Sequence, residues 1–477
     1  MILCSQKKVN FNEKGEEKEK GKGMSARIVN NKDVIIGSLI FLGGVVASVF
    51  LGISLIIPLA LGYMCYAFIA KERGYSPKQI GSMTLKGAKE SVVVVSMLLL
   101  IGAVSAAWRA SGTIAMFVHY GLNLISPGMF LLLAFLICCA FSYALGSCFG
   151  TAGTIGIILI TLAKAGDVSV VMTAGAVLSG GYFGDRCSPV SASASLTAFV
   201  TKTNLYDNVR MMFKTMGVPF AITTAMYGVL SFTHTLAEID PAMDNLMVSG
   251  YHLSPVLLLP VVIMLALPLL KVNIKITALI SIALSTIMAV GIQGESLTAV
   301  LKSLVFGYAP ADDALAGIFA GGGMMSMVNI CGIVLIACSY SGIINGTGMF
   351  KDMAYMMSKA CRRIGRVYMT FLTGTIFSGM FCSCSAAIIM SNMVLGQAYE
   401  STGGDKRELA IDIENTVELT ATWVPWSAAC MASFSAMAVP GTAIFFSFFV
   451  FVLPIHYLIS KRRKALHEDR LFVSQPA

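Results

Sequence analysis

The chain has 477 residues, of which 56% are hydrophobic and only 12% are charged. Soluble proteins carry charge on about a quarter of their residues, so this composition excludes an ordinary soluble domain and indicates a membrane protein. The net charge of +9 is compatible with nucleic-acid binding. However, Lys and Arg collect in a few segments, as the positive-inside rule requires, so we expect a lipid bilayer and no nucleic acid as partner.

The predicted elements begin after a polar tail, residues 1–33, which has no apolar core and is expected to be a disordered cytoplasmic segment rather than a signal peptide. Beyond it, charge-free runs reach the roughly twenty residues that a membrane helix needs. The first half of the chain predicts two helices in 34–70, a long segment in 91–125, a hairpin in 129–163, a broken helix in 168–201 and a helix in 215–232.

An acidic stretch, residues 236–253, divides the chain and is expected to be an extracytoplasmic connecting loop. Residues 461–477 follow the last apolar run and are expected to be a cytoplasmic tail. Between them, the second half predicts helices in 254–270 and 276–292, a loop in 293–313, a long segment in 314–350, a hairpin in 367–398, a broken helix in 411–435 and a helix in 441–460.

The two halves contain the same kinds of elements in the same order. We therefore predict an all-α polytopic membrane protein with about ten transmembrane crossings, two re-entrant hairpins and two inverted five-helix repeats with broken helices, residues 34–235 and 254–460. An odd number of crossings in each repeat inverts the second relative to the first. With both termini in the cytoplasm, nearly all Lys and Arg lie on the inner face, as expected for a multi-pass protein of the plasma membrane.

A Gly-, Ser- and Pro-rich tract interrupts the first of the two broken helices. We expect its first half-helix to end at Gly180–Gly181, where glycine tolerates unwinding. The second half-helix is expected to begin with Ser188 as N-cap and Pro189 at the first helical position. A second Pro-x-Ser-Ala sequence begins at Pro425. Unpaired backbone cannot face lipid, so both breaks must line a protein-walled cavity, and secondary transporters bind substrate at such breaks.

Residues at the two breaks and at the two hairpin tips are candidates for binding a substrate or ion. Loosened carbonyls and hydroxyls suit a small cation such as Na+, and half-helix N-termini suit an anion such as a carboxylate. For any one Ser or Thr, ordinary helix packing is the alternative. The candidates are Gly150, Thr151, Thr154, Ser188, Pro189, Ser191, Ser193, Ser383, Ser385, Thr420, Pro425, Trp426 and Ser427.

Charged groups within the apolar segments are sharper signals, because a charge in the membrane is costly and usually functional. Asp185 lies at the first break, where it could bind an ion, cap the second half-helix or meet Arg186. Glu414 and Glu418 share a helical face near the second break, where they could carry a proton or simply lie at the water interface. Transient Na+ binding is expected at Asp185, Ser191 and Glu414. Arg109 could hold a substrate carboxylate or snorkel.

Sequence signatures of soluble enzymes are absent from the chain. It has no His-Glu-x-x-His, phosphate-binding P-loop or Gly-x-Ser-x-Gly motif. The twelve Cys residues form no Cys-x-x-Cys pair and are typical of small buried side chains. We therefore expect no enzyme activity, no cofactor and no structural metal.

The chain resembles the NhaC-type sodium/proton antiporters, which belong to the wider ion-transporter fold of inverted repeats. The resemblance covers about residues 34–460. The motifs that carry it are Trp108–Thr113 with Tyr120–Leu122, the tip Gly150–Thr154, Gly184–Ser191, Gly322–Met327, Glu414 and Val424–Trp426.

The chain departs from that family at three positions where acidic residues are expected. Ala192 follows the Ser-Pro-x-Ser motif, Ser383 lies at the second hairpin tip, and Asn415 follows Glu414. The resemblance implies a secondary active transporter, with cation/proton antiport as its activity and a homodimer as one assembly. The alternative is a transporter or exchanger of a small carboxylate or amino acid coupled to Na+ or protons. A passive channel fits less well, because nothing indicates a continuous pore.

Overall fold

The structure is a computed structural model of the chain. It describes residues 31–51, 53–124, 126–237, 241–270, 272–310, 312–349, 359, 361–424 and 426–473. Within these ranges the chain is almost entirely helical, and the β structure is one isolated bridge between Tyr308 and Gly321. The expected all-α class is confirmed. Pro425 and nearly all of the predicted N-terminal tail lie outside the described residues.

The first half of the chain forms eleven of the α-helices named here. A single π-helical turn, Ala152–Gly156, joins α6 to α7. The helices are α1 Asn31–Leu51, α2 Ile56–Glu72, α3 Pro77–Ala110, α4 Thr113–Leu124, α5 Phe130–Leu145, α6 Cys148–Thr151, α7 Ile157–Ala165, α8 Val170–Cys187, α9 Ala192–Thr201, α10 Leu205–Thr233 and α11 Pro241–Gly250.

The second half contains another eleven helices among the described residues. Short 3-10 turns precede several of them, including Met324–Met327 and Gly441–Phe446. The helices are α12 Leu259–Leu269, α13 Ile274–Gly291, α14 Leu297–Phe306, α15 Asp313–Phe319, α16 Val328–Thr347, α17 Arg366–Phe381, α18 Cys384–Ser401, α19 Lys406–Asn415, α20 Val417–Thr420, α21 Ala428–Ala436 and α22 Phe448–Val473.

Several segments predicted as loops are helical, and local caps explain why. Helix α14 lies inside the expected 293–313 loop and begins at Ser296, whose Oγ accepts a hydrogen bond from the N–H of Ala299 at 3.2 Å. Helix α3 begins well before the predicted segment, at a capping box formed by Ser76 and Gln79. Helix α22 continues beyond the last apolar run. Charge-free runs therefore underestimate the length of helices that have polar or charged residues at their ends.

Six helical stretches within the described residues are long and apolar enough to cross a bilayer. Two of them, Pro127–Leu145 and Cys148–Ala165, are the arms of the first predicted hairpin, so each arm is long enough for a full crossing. The six are Pro77–Ala110, Pro127–Leu145, Cys148–Ala165, Leu205–Thr233, Ile274–Gly291 and Met324–Thr347. The protein is therefore a multi-pass helical membrane protein.

Helix α8 packs closely against α5, and its glycines permit this approach. A Cβ atom on Gly184 would overlap the backbone of Ser142, and one on Gly180 would lie 2.6 Å from the carbonyl oxygen of Phe135. Ser142 also donates a hydrogen bond to the carbonyl oxygen of Gly181. The glycines therefore serve packing, and α8 stays helical through Gly180 and Gly181. The expectation that the first half-helix ends there is wrong.

The first helix break lies further along, between α8 and α9. Its N-cap is Ser191, whose Oγ accepts a hydrogen bond from the N–H of Ala194 at 3.3 Å. Ser188 instead ends α8, and its Oγ accepts from the N–H of Val190 at 3.3 Å. Ser188 is therefore not the N-cap, and Pro189 lies inside the break rather than at the first helical position.

The second helix break is spread over a longer stretch. Thr416 has non-helical backbone angles and separates α19 from α20. After α20 comes a 3-10 turn, Ala421–Trp423, and then Ser427, whose Oγ accepts from the N–H of Cys430 at 3.2 Å. Ser427 is thus the N-cap of α21, as Ser191 is of α9. Both serines lie two positions after the proline of a Pro-x-Ser-Ala sequence.

The turns of the two hairpins have the same local geometry. Gly146, with φ of +64°, ends α5, and Ser147 is the N-cap of α6. Cys382, with φ of +51°, ends α17, and Ser383 is the N-cap of α18. Each turn therefore consists of one left-handed residue followed by a capping serine, which points the start of the second arm toward the helix breaks.

Candidate functional site

Asp185 lies in the last turn of α8, beside the first break, and is partly buried. Its Oδ2 accepts a hydrogen bond from the N–H of Cys148 at 3.1 Å, at the tip of the first hairpin. Its Oδ1 accepts from Ser191 Oγ at 3.1 Å and from Ser193 Oγ at 3.3 Å. Among the described contacts Asp185 forms no ion pair with Arg186. It therefore joins the hairpin tip to the break.

Glu418 brings the second half of the chain to this network. Ser193 Oγ lies 2.6 Å from Glu418 Oε1 and 3.3 Å from Asp185 Oδ1. A hydroxyl carries one proton, so Ser193 can donate to only one of these two carboxyls at a time. Glu418 itself is 1% exposed. The two breaks therefore meet at a shared hydroxyl between two acidic groups.

Glu414 lies next to Glu418, and it is fully buried. When both carboxyls are ionised, neither oxygen of Glu414 accepts a hydrogen bond within the described residues, and neither does Glu418 Oε2. The two carboxyls lie within hydrogen-bonding distance of each other, so a proton on either one can bridge the pair. The alternative that both residues lie at the water interface is therefore wrong. Buried acidic oxygens without donors are costly, so a proton or a cation is needed to neutralise them.

Arg186, the residue after Asp185, lies close enough to Glu414 and Glu418 for its charge to act on both. Its Nη2 donates to Asn415 Oδ1 at 2.8 Å and to the carbonyl oxygen of Met212 at 3.1 Å. The guanidinium is fully buried, and its Nε and Nη1 atoms have no hydrogen-bond partner in the part of the chain that the structure describes. Arg186 supplies the positive charge nearest to the two glutamates.

Asp412 is a further buried carboxylate on α19 that sequence reasoning missed. Its oxygens accept hydrogen bonds from the hydroxyls of Tyr399 at 2.7 Å and Tyr457 at 2.6 Å. Lys461 Nζ lies 3.6 Å from Asp412 Oδ1. Its spacing of four residues from Glu408 was the available signal, because both lie on one face of a helix. Unlike Glu414, Asp412 has a full set of partners.

The first hairpin tip contributes backbone rather than free hydroxyls. Thr151 Oγ1 donates to the carbonyl oxygen of Ser147 at 3.0 Å, and Thr154 Oγ1 donates to that of Gly150 at 2.6 Å. Both threonines therefore bond within their own helix. The N–H group of Cys148 is the direct link from this tip to Asp185.

The second hairpin tip approaches the glutamates through a cysteine. Cys384 Sγ lies 4.0 Å from the carbonyl oxygen of Glu418. Ser383 is the N-cap of α18, and Ser385 is exposed. The candidate hydroxyls Ser383 and Ser385 form no hydrogen bond to the carboxyl network among the described residues. Cys384, which was not among the candidates, approaches it more closely.

The remaining candidates at the second break have structural partners. Trp426 Nε1 donates to the carbonyl oxygen of Gly379 at 2.9 Å, and the N–H of Ala428 donates to that of Cys382 at 2.8 Å. Thr420 Oγ1 donates back to its own helix, at the carbonyl oxygen of Val417. Ser427 caps α21. The bonds of Trp426 and Ala428 hold the break against the second hairpin, whereas those of Thr420 and Ser427 are local.

Arg109 has a structural role as well. Its Nη1 donates to the carbonyl oxygens of Ile318, Phe319 and Ala320, the last of the three just beyond the end of α15, with 3.0 Å to Phe319. Its Nε donates to Ser105 Oγ at 3.4 Å. Arg109 therefore caps a helix C-terminus, and its guanidinium is not free to bind a substrate carboxylate.

Taken together, the site has three carboxyl groups, Asp185, Glu414 and Glu418, and one guanidinium, Arg186. Its acidic excess and its hydroxyl and carbonyl oxygens suit a small cation or protons. One edge is open, because Asp185 is partly exposed and Ala192 is exposed, whereas Glu414 is enclosed. Within the described residues, no group of three His, Cys, Asp or Glu side chains is arranged to hold a resident metal ion.

Comparison with known proteins identifies transporters over nearly the whole chain. The chain is 26% identical over 403 residues to the malate-2H(+)/Na(+)-lactate antiporter of Bacillus subtilis, covering 83% of this chain and 86% of that protein. It is 28% identical over 415 residues to the Na(+)/H(+) antiporter NhaC of the same species, covering 84% and 90%. The arginine/ornithine antiporter ArcD of Halobacterium salinarum is 28% identical over 441 residues, covering 88% of each chain. These relatives are transporters, not enzymes.

The sequence profile of the Na+/H+ antiporter family matches residues 29–198 and 181–460. The two matches overlap at the first helix break, and together they include both breaks and both hairpins. The expected resemblance to NhaC-type antiporters is confirmed. The chain belongs to the Na+/H+ antiporter family.

Proposed function

We propose that this protein is a secondary active transporter that exchanges Na+ or a similar small cation for protons at the network of Asp185, Glu414 and Glu418. The observation that carries the proposal is the buried pair Glu414 and Glu418. Three of its carboxyl oxygens accept no hydrogen bond among the described residues when both groups are ionised, and the two carboxyls lie within hydrogen-bonding distance of each other. Such oxygens need a proton or a cation as partner. Family membership supports the same activity.

Exchange follows from competition for these oxygens. Glu414 and Glu418 lie side by side away from water, so their joint negative charge is unfavourable unless a cation or proton lies between them. A cation that enters at the open edge, beside Asp185 and Ser193, displaces protons from the pair. When the cation leaves, protons return. The two ligands are then bound alternately, as antiport requires.

The same network fits an alternating-access transporter. We propose that residues 34–235 and 254–460 form inverted repeats that move against each other, with the two breaks near the bilayer centre between them. The paired N-caps Ser191 and Ser427 and the paired hairpin turns support this proposal. We also propose that both termini lie in the cytoplasm and that the protein forms a homodimer.

Exchange of a small organic acid or amino acid is the second candidate. Two relatives of similar identity are named as antiporters of malate and lactate and of arginine and ornithine. The absence of acidic groups at Ala192, Ser383 and Asn415 favours a substrate other than Na+ alone. Because the site is acidic and Arg109 is occupied by carbonyl groups, a cationic amino acid fits it better than a free carboxylate.

Proteoliposomes test the proposal directly. Protein is reconstituted at defined internal pH, an inward Na+ gradient is imposed, and internal pH is recorded. We expect internal alkalinisation as protons leave in exchange for Na+, with no change in empty liposomes. A panel of labelled malate, lactate, arginine and ornithine is measured in the same vesicles. Solute uptake without any Na+-driven pH change would replace cation/proton antiport by the second candidate.

A further inference from the structure

Away from the transport site, the structure has a cavity of about 1010 Å³ between the start of α17 and the end of the apolar part of α22. The charged residues that line it are mostly positive. One carboxylate, Glu408, faces five cations, and these are Arg362, Arg363, Arg366, Lys461 and Arg462.

The single carboxylate is already shared. Arg366 Nη2 lies 3.1 Å from Glu408 Oε2, and Lys461 Nζ lies 3.3 Å from Glu408 Oε1. The three remaining arginines form no ion pair with any residue that the structure describes. The cavity therefore keeps three exposed guanidinium groups that have no anion as partner among the described residues, namely Arg362, Arg363 and Arg462.

The backbone adds positive potential at the same place. The N-cap of the 16-residue helix α17 is Gly365, which has no side chain to cap the free N–H groups. The first turn of this helix, at Arg366 and Tyr368, lines the cavity. The N-terminus of a helix carries partial positive charge and favours anions.

The positive-inside rule explains why basic residues are plentiful at one membrane face. It does not require that they surround one cavity, since exposed charges separate in water to reduce repulsion. Other basic residues in this chain behave as expected, for example Arg407, which is exposed and pairs with Asp207 at 3.5 Å. The convergence of guanidinium groups on one concave site therefore indicates a ligand.

We propose that this cavity binds a phosphate-bearing anion. Guanidinium groups bind phosphate oxygens through paired hydrogen bonds, and several arginines around one group are typical of phosphate sites. The volume exceeds that of a single inorganic phosphate, so the cavity has room for a larger phosphate-bearing compound. The headgroup of an anionic phospholipid and a soluble phosphorylated compound share this chemistry. The proposal is independent of the transported substrate, because none of these residues belongs to the transport site.

Binding to purified protein tests this site. Delipidated protein in a neutral detergent is titrated with short-chain phosphatidylglycerol and, separately, with pyrophosphate, while phosphatidylcholine and NaCl of equal ionic strength serve as controls. We expect saturable binding of at least one phosphate ligand. In Arg362→Gln/Arg363→Gln, affinity should fall about tenfold or more, because two charge-assisted hydrogen bonds to the phosphate are lost.

A variant with the same change in net charge separates the cavity from general electrostatics. Lys406→Gln/Arg407→Gln removes two exposed cations outside the cavity and should leave binding unchanged. Phosphatidylglycerol binding alone identifies the lipid source, and pyrophosphate binding identifies a soluble source. The proposal is overturned if neither ligand binds saturably, or if both double variants lose affinity equally. Monodisperse elution and an unchanged melting temperature verify that the variants are folded.

Discussion

At the scale of single residues, Glu418 is the group through which the two parts of the site meet. It lies 2.6 Å from Ser193 across a sequence separation of 225 residues. It also lies within hydrogen-bonding distance of Glu414, and its Oε2 accepts no hydrogen bond among the described residues when both groups are ionised. Glu418 is thus the carboxyl best placed to respond to ligands on both sides, through Ser193 toward Asp185 and directly toward Glu414.

We expect Glu418→Gln to abolish Na+-driven proton exchange while folded protein stays in the membrane. Gln keeps the shape and most hydrogen bonds of Glu but can neither ionise nor release a proton. The measurement is the rate of internal pH change in proteoliposomes after a Na+ jump. Glu400→Gln, at an exposed residue outside the site, is the matched control and should exchange at the wild-type rate. Wild-type exchange by Glu418→Gln would remove this residue from the mechanism.

Asp185→Asn and Glu414→Gln should also abolish gradient-driven transport. Asp185 accepts hydrogen bonds from Cys148, Ser191 and Ser193, and the amide oxygen of Asn retains acceptor capacity, so the local fold should persist. The initial rate of exchange is measured at several pH values for each variant. If both variants keep the wild-type rate and pH dependence, neither carboxyl carries the proton, and the site is better explained by a neutral or zwitterionic solute.

Ala192→Asp should increase the apparent affinity for Na+. Ala192 is exposed at the first position of α9, next to Ser191, where a carboxylate is also favoured by the helix N-terminus. The measurement is the Na+ concentration that gives half-maximal exchange. Ala192→Asn supplies a side chain of similar size without charge and should behave like wild type. Equal responses to Asp and Asn would mean that the missing carboxylate does not limit Na+ binding.

At the scale of elements, the breaks depend on small residues packed against neighbouring helices. Helix α8 reaches its position because Gly180 and Gly184 let it approach α5, so that Asp185 arrives beside the first hairpin tip. Sequence alone predicted a broken helix here, and a break is present. It was placed at the wrong glycines because glycine serves both unwinding and close packing, and only the neighbouring helix distinguishes the two.

We therefore expect Gly184→Ala to destabilise the protein by roughly 1–3 kcal/mol, as overpacking typically does. A Cβ atom at this position would overlap the backbone of Ser142 and Tyr143, which cannot move away as a flexible side chain could. The melting temperature of purified protein in detergent measures the effect. Gly217→Ala is the control, since a Cβ atom there meets nothing within 4 Å and Ala favours helix. Equal melting temperatures for the two variants would contradict this packing argument.

The sequence reveals which residue types are unusual in an apolar segment, but not where their side chains point, and this explains which parts of the site were predictable. Asp185, Ser191, Ser193, Glu414 and Glu418 stood out because polar and acidic groups are rare in apolar segments. The hydroxyls of Thr151 and Thr154 stood out equally, but they bond to carbonyl groups of their own helix. Asp412 was not singled out, although it lies at the start of the predicted broken helix 411–435, because the candidates were chosen closer to the break. Side-chain direction, which sequence spacing does not determine, separates these cases.

At the scale of the whole molecule, the two halves of the chain contribute different residues to one site. The first contributes Asp185, Arg186 and the serines of α9, and the second contributes Glu414 and Glu418. The order of elements was predictable because each membrane helix needs a long apolar run. The number of crossings was not, because each arm of the first hairpin is itself long enough to span the bilayer.

Topology can be tested by labelling single cysteines in a variant without native cysteines. We expect Ser249→Cys, in the predicted outer connecting loop, to react with an impermeant reagent added to intact cells. Arg363→Cys should react only after the membrane is opened, because positive residues remain inside. Both positions are exposed in the structure. Labelling of both from the same side would contradict the inverted arrangement of the two halves.

The most direct test of the central claim measures proton release when Na+ binds. Purified protein in weakly buffered detergent solution is mixed with NaCl, and a pH indicator records released protons, with choline chloride as control. We predict that Na+ acidifies the wild-type solution saturably, and that Glu414→Gln/Glu418→Gln releases none. Na+ binding without proton release, or equal release by the double variant, would contradict the claim that one buried carboxyl pair binds protons and Na+ in turn.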